Sequence, residues 1–199
     1  MPVKDYTKRQ IQIIERAVDL IAAGGIQELT IKNLAATIGI SEPGIYRHFQ
    51  NKQEILEALL DHFGSDTRDY LSNVVKSRQT SLEKIGVILK YHFETFNRRP
   101  ALSAVIFSED IFLNDRHLAE IVLGIMKQSQ EAFLKIIASD GTERELRGDI
   151  PAQHLVTIIM GSLRLLVNKW HLSGHAFDLI EEGNSFWKSL KRVIAKNVQ

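Results

Sequence analysis

The sequence contains no cysteine, only 4 prolines and few aromatics, and its charges almost cancel, 25 Lys and Arg against 24 Asp and Glu in 199 residues. Without cysteine there are no disulfide scaffolds, thiolate zinc sites, iron–sulfur clusters or cysteine nucleophiles. The longest apolar stretch, near residues 155–167, is interrupted by Arg164 and is too short to span a bilayer. The opening residues, MPVKDYTKRQ, are charged and lack the apolar core of a signal peptide. These absences lead to the expectation of a cytoplasmic protein with no membrane partner. What is present is 44% hydrophobic residues with 25% charged, a balance that excludes disorder and suits a packed chain of one or two domains. A net charge of +1 argues against a generally basic nucleic-acid binder.

With prolines only at positions 2, 43, 100 and 151, long windows are left unbroken, and their apolar residues recur at helical spacing. Ile11, Ile14, Val18 and Ile21 form one stripe, stopped by Gly24-Gly25. Leu82, Ile85, Leu89, His92 and Phe96 form another, ended by Arg98-Arg99-Pro100. Leu118, Ile121, Val122, Ile125, Met126 and Phe133 follow. After Pro151, placed as an early helical residue, come Leu155, Ile158, Ile159, Leu163, Leu166 and Trp170, and finally Ile180, Trp187, Leu190 and Ile194. No segment alternates as a strand would, so the chain is expected to be all-α. The first fifty residues read as three short helices with glycine-bearing turns and the remainder as long helices. The expected domains are therefore 1–51 and 52–199. Asn51 is expected to cap the helix that opens the second, with Glu54 reaching back to it.

Residues 30–49, TIKNLAATIGISEPGIYRHF, hold the most informative pattern. Thr30 is an N-cap candidate, Leu34 and Ile38 are apolar, and Ala35 sits where a second helix must cross closely. Gly39 can adopt the positive φ of a sharp turn and Ile40 plugs the corner. Ser41 is expected to cap the next helix, Pro43 fits its first turn, and Ile45 and Phe49 face back to the core. The spacing predicts a helix-turn-helix, against the competing reading of an ordinary αα-corner. The outward side of the second helix favours DNA. Gly44 would let backbone approach a groove, Tyr46 and His48 can hydrogen-bond phosphate, Arg47 adds a guanidinium, and Lys52 stands at the start of the next helix.

The segment from about Lys8 to Leu60 resembles the DNA-binding domain of the TetR/AcrR family of transcriptional regulators. The likeness is carried by residues 13–21 leading to Gly24, by Leu29-Thr30-Ile31, and by residues 41–49 followed by Asn51-Lys52. It implies an all-α homodimer, most commonly a repressor, that binds a palindromic double-stranded DNA operator and is released when its C-terminal domain takes up a small-molecule effector. By position it implies that Thr30 and Lys32 lie near phosphate, that Ser41, Glu42, Gly44 and Ile45 face the major groove, and that Tyr46, His48 and Lys52 touch the DNA backbone. Glu42 departs mildly from what a phosphate contact would favour and suits acceptance from a cytosine amino group instead.

The C-terminal part has no comparably dense motif, although Gly148-Asp149-Ile150-Pro151 and the run from Met160 to Arg164 resemble the family's penultimate helix. The helix after Pro151 is apolar on more than one face, and Gly161-Ser162 would admit another helix closely. Leu155, Ile159, Gly161, Ser162 and Leu166, with Phe186, Trp187, Leu190 and Ile194 on the last helix, are expected to form a homodimeric four-helix bundle; closure of a monomeric core is the competing reading. His92, Phe96, Phe107, Met126, Phe133, Arg164 and Trp170 are candidates for lining an effector cavity, with plain core packing the alternative for each. The scarcity of polar residues on these faces predicts an elongated, mainly apolar effector.

An enzyme is not expected. The seven histidines make no HExxH or other metal-ligand spacing, and GxGxxG, P-loop and GxSxG motifs are absent, so no cofactor, metal or catalytic residue is assigned. Two further readings stay open at this point. One is a helical protein-binding adaptor that keeps the helix-turn-helix as a scaffold, and the other is a DNA binder that needs its ligand. Charge does not separate them, since residues 1–52 hold 7 basic against 5 acidic residues.

Overall fold

The computed structural model describes residues 5–107, 115–140 and 145–196. Helices run α1 (Lys8–Gly24), α2 (Ile31–Ile38), α3 (Glu42–Tyr46), α4 (Lys52–Lys76), α5 (Ser81–Arg98), α6 (Pro100–Ile106), α7 (Arg116–Ala138), α8 (Ala152–Leu172) and α9 (Leu179–Ile194), with a 3₁₀ turn at Ile26–Glu28. Among the described residues there is no strand, only one antiparallel bridge between Leu146 and Ala195. The all-α expectation holds. Pro151 differs slightly from its expected place, occupying the N-cap of α8 while the helix begins at Ala152. No helix among the described residues is long and apolar enough to cross a membrane.

Contacts divide the chain into two compact units, Met1–Asp66 with Arg99–Gly124, and Thr67–Arg98 with Ile125–Gln199. The division falls within α4 rather than at the expected 51/52 junction, and it draws α6 and the start of α7 into the first unit. The physical reason lies in the apolar stripe of α4, where Ile55, Leu56, Leu59 and Leu60 are buried just after the helix begins. A helix that buries four large side chains in its first turns belongs to the body it covers.

In the first unit, Ile13, Ile14, Ala17 and Ile21 of α1, Leu34 and Ala35 of α2, and Ile45 and Phe49 form the core, with α1 packed against α2 and α6. The starts of α1, α2 and α4 are satisfied locally. Thr7 and Gln10 make a reciprocal capping box on α1, and the Thr30 hydroxyl accepts from the Asn33 amide at 3.0 Å on α2. At α4 the Glu54 amide donates to Asn51 Oδ1 at 2.8 Å, but the Glu54 carboxylate accepts from the Gln50 amide at 2.6 Å, one residue earlier than expected.

The second unit is built around α5, which packs on α8 and α9. Two glycines let α5 and α9 approach closely, each facing an aromatic of the other helix. A Cβ on Gly86 would lie 2.8 Å from the Trp187 indole, and one on Gly183 would lie 2.5 Å from the Phe93 ring. As the pairing runs from Gly86 with Trp187 to Phe93 with Gly183, the two helices are antiparallel. Gly183→Ala is therefore expected to destabilise the protein by about 1–3 kcal/mol through overpacking, read as a lower urea midpoint. Unchanged stability would mean that the Phe93 ring has room to retreat.

Candidate nucleic-acid interface and effector region

The helix-turn-helix is set by a three-residue turn, Gly39-Ile40-Ser41, between α2 and α3. Gly39 has φ 77° and ψ 35°, and its amide donates to the Ala35 and Ala36 carbonyls, ending α2 in a left-handed cap. A side chain there would meet nothing within 4 Å, so the demand for glycine is one of backbone conformation alone. The buried Ala35 and Ile45 let α2 and α3 meet closely and fix how α3 presents its outer side.

That outer side is narrower than the sequence suggested. α3 is five residues long, and Ser41, Glu42, Pro43, Tyr46 and Arg47 are exposed, with Tyr46 at 51%. Ile45 is wholly buried and cannot face a groove from this position; the core role also expected of it is the one it takes. Gly44 is buried as well. A Cβ there would lie 3.4–3.5 Å from Ile40 and Ser41, so this glycine packs under the turn instead of opening the backbone to DNA. Ser41 occupies the N-cap position without the expected side-chain cap hydrogen bond, and the residue is exposed. Pro43 is an exposed member of this surface that the sequence reading used only as a helix starter.

Around the short helix, other contacts hold the surface in place. Gln10 Nε2 donates to the His48 carbonyl at 3.3 Å, so the capping box of α1 also braces the segment after α3. His48 itself is half-buried. Lys32 and Thr30 are exposed at the start of α2. Lys52 Nζ donates to the Ile26 carbonyl at 2.8 Å, and burial lowers its pKa from the ordinary lysine value. One of its three protons thus braces the turn after α1, and the other two can reach an anion. On the same helix Asp61 accepts from the Tyr6 hydroxyl at 3.4 Å; burial, with the charge of Asp61, raises the Tyr6 pKa.

The residues expected to line an effector cavity differ in burial and in the unit to which they belong. In the second unit His92, Phe96, Phe133 and Trp170 are buried, while Met126 is 39% exposed and Arg164 is exposed; Phe107 belongs to the first unit. Trp170 is structural, since its indole N–H donates to the Phe177 carbonyl at 3.0 Å and its ring lies against His175, closing the loop after α8. A surface cleft of about 340 Å³ lined by Ile137, Asp140, Leu146, Arg147 and Ile150, among others, includes none of the seven candidates. His92 is different. It is buried beside Tyr91 and Phe96, and its Nδ1 has no hydrogen-bond partner. Burial pushes its pKa down to about 4. Two hydroxyls that sequence reasoning did not single out, Thr67 and Thr95, are likewise buried and unpartnered. The signal for them was a polar residue in the register of an apolar stripe, Phe63, Thr67 and Leu71 on α4 and Ile88, His92 and Thr95 on α5.

The residues expected at a subunit interface divide by burial. Leu155, Ile159, Leu190 and Ile194 lie inside their own chain at 4% exposure or less, because the faces that carry them cover α5 and its neighbours. Trp187 and Phe186 are half-buried, with Trp187 held against Gly86. Gly161 is exposed with nothing near its Cβ direction, Ser162 and Leu166 are half-buried, and Leu165 and Leu172 stand at 69% and 76% exposure. Leu165 and Leu172 were not among the expected contacts. They share with Gly161 a stripe at positions i, i+4 and i+11.

The first unit thus carries a helix-turn-helix with an outward recognition surface, and the second is a helical body of the kind that accompanies such a module in bacterial regulators. Residues 13–59 match the model of bacterial regulatory proteins of the tetR family, and residues 62–192 match that of the YsiA-like protein C-terminal region. The chain belongs to the TetR family of transcriptional regulators. It is similar to the fatty acid metabolism regulator protein of Bacillus subtilis, 22% identical over 183 residues covering 92% of this chain and 94% of that protein. It is also similar to the nucleoid occlusion factor SlmA of Actinobacillus pleuropneumoniae, 26% identical over 138 residues, 69% of this chain and 68% of that one. Among solved structures, the transcriptional regulator FadR from Bacillus subtilis in complex with stearoyl-CoA superposes with a TM-score of 0.77 at 22% identity, over 90% of this chain and 96% of that chain.

The state of His92 has a measurable consequence. Its pKa is lowered in the folded protein, so the folded chain holds the imidazole neutral where the unfolded chain takes up a proton. The resulting stability is fully present above about pH 6.5 and declines as pH falls toward 4, by about 3 kcal/mol over that window. Denaturation followed between pH 7 and 4 should show this loss, and His92→Phe should shrink it. An equal loss in the variant would assign the dependence to other groups.

Proposed function

We propose that this chain is a ligand-responsive transcriptional repressor that binds a palindromic DNA operator as a homodimer and is released by a small, mainly apolar effector held in the second unit. The observation that carries the reading is the outward surface of the helix-turn-helix. Ser41, Glu42, Tyr46 and Arg47 are exposed on and beside α3, with Lys32 and Thr30 exposed on α2 and Lys52 at the start of α4. Ser41 and Glu42 stand where base edges would be read, and Tyr46, Arg47, Lys32 and Lys52 supply phosphate contacts. A helix of five residues reaches few base pairs, so specificity calls for two copies. Dimerisation is supported by the uncovered stripe Gly161, Leu165 and Leu172 on α8, with half-exposed Val193 on α9.

Release follows from α4, which starts beside the recognition surface and continues without a break into residues assigned to the second unit. An effector that binds better to one tilt of α4 shifts the population toward it. Two recognition helices must stand about 34–36 Å apart to enter successive major grooves, so a small tilt is enough to spoil the fit. An elongated apolar effector is favoured by the faces of α5 and α7, whose inward residues are mostly Leu, Ile, Val and Phe. The FadR neighbour binds stearoyl-CoA, which has a long apolar chain, and this lends the same reading support by analogy.

The test is duplex binding measured against salt. Affinity for a selected operator is expected to fall steeply from 50 to 200 mM salt, and Tyr46→Ala and Arg47→Ala are each expected to weaken binding by roughly tenfold, Arg47→Ala also flattening the salt slope. Binding that ignores salt and both substitutions would instead favour a protein-binding adaptor.

A further inference from the structure

Among the described residues four buried polar side-chain atoms lack partners, all in the second unit: His171 Nδ1 lies on α8 beside His175, and the other three are Thr67 Oγ1 on α4 and His92 Nδ1 and Thr95 Oγ1 on α5. All three side chains belong to residues at 7% exposure or less. Their common level follows from the pairing of the two helices. Lys84 Nζ donates to the Val75 carbonyl at 3.0 Å, the Tyr70 hydroxyl donates to the Val87 carbonyl at 3.4 Å, and the Tyr70 and Tyr91 rings stack at 3.8 Å. Numbers fall along α4 as they rise along α5, so the helices are antiparallel and Thr67 is level with residues 92–95. Thr67 lies one turn before Tyr70 on the α4 face that meets α5. Thr95 lies one turn after Tyr91 on the α5 face that meets α4, and His92 is one turn before Thr95.

A buried hydroxyl or imidazole nitrogen without a partner is costly, and natural chains keep very few such atoms. Threonine in a helix ordinarily returns its hydroxyl to the carbonyl four residues back, as Thr37 does to Asn33 at 2.8 Å and Thr157 to Gln153 at 2.9 Å. Thr67 and Thr95 decline that local partner. Three such exceptions at one level of one helix pair are the signature of groups reserved for something that comes from outside the chain.

We propose that Thr67, His92 and Thr95 form the polar recognition point of the effector site, taking an uncharged oxygen-bearing group, a hydroxyl or carbonyl, of an otherwise apolar molecule. The proposal rests on the reading of this chain as an effector-responsive regulator and adds to it the chemistry that selects the effector. Two hydroxyls can each donate and accept, and Nδ1 supplies a third hydrogen-bonding atom. With its pKa pushed down to about 4, the imidazole is neutral at pH 7 and brings no countercharge for a carboxylate. Desolvating an anion beside neutral groups is far less favourable than desolvating an alcohol, so the site discriminates by charge as well as shape. The apolar remainder of the molecule would run along the neighbouring stripe of α5, where Ile88, Leu89 and Phe96 are buried.

The experiment uses the full chain with 1-decanol and decanoate as matched probes at pH 8, read by tryptophan fluorescence and thermal shift. Decanol is expected to bind at least about tenfold more tightly than decanoate. Thr67→Val and Thr95→Val should each weaken decanol roughly two- to tenfold, whereas Thr95→Ser, which keeps the hydroxyl, should retain most of the affinity. Without probe, both valine variants should melt at or above the wild-type temperature, because each replaces an unpartnered polar atom with a methyl group. Equal binding of decanoate, no binding of either probe, unchanged decanol affinity in the valine variants, or a clear fall in their melting temperature would each overturn the proposal. Operator binding of the wild type in the same preparation is a separate readout. Its failure counts against the regulator reading, and its success alongside a failed probe series counts against the polar site alone.

Discussion

The structure hangs on α4, one uninterrupted helix of 25 residues, about 37 Å of hydrogen-bonded backbone. Its first turns are tied to the DNA-facing module. Asn51 and Glu54 satisfy the helix start, Lys52 reaches the carbonyl of Ile26, and Asp61 accepts from Tyr6. Its last turns are tied to α5 by the stacked pair Tyr70 and Tyr91 and by Lys84 on the Val75 carbonyl. Sharp bends in a helix arise at a proline, a Gly/Ser pair, a π-bulge or an inserted group. α4 contains no proline, but Gly64-Ser65 stands at its middle, beside the boundary between the two units.

The recognition surface shows how a nearly neutral protein can be built for an anionic partner. The net charge of +1 says little, because the acidic residues Glu15 and Asp19 lie on α1, a different helix from the outward residues of α3. What matters is local. A glycine at φ 77° turns the chain, Ile45 and Phe49 root the short helix, and the exposed positions left over are a hydroxyl, a carboxylate, a phenol and a guanidinium. A surface so small offers few phosphate contacts per subunit, which is why the proposed function calls for two copies of the chain.

Much of this was legible in the sequence because its signals are local. Helical periodicity, the proline and glycine stops and the caps at Thr30 and Asn51 fixed where elements begin and end, and the spacing from Leu34 to Phe49 fixed the turn. What escaped depends on which face of a helix meets which neighbour. Gly44 and Ile45 fit a groove by resemblance but are drawn inward by packing, and Leu155, Ile159, Leu190 and Ile194 are apolar enough for an interface yet are used in their own core. The reciprocal fit of Gly86 with Trp187 and of Gly183 with Phe93 joins positions about a hundred residues apart, for which one sequence holds no cue. Thr67 and Thr95 were missed because a polar residue in an apolar stripe looks like tolerance until its lack of a partner is seen.

The central claim is that two copies of this chain read DNA with paired recognition helices. Selection of bound duplexes from a random library, followed by sequencing, tests it most directly. The account predicts enrichment of an inverted repeat whose half-site centres lie about one helical turn, 10–10.5 base pairs, or a multiple of that apart. Enrichment of a single unrepeated half-site, or of no sequence at all, would contradict it.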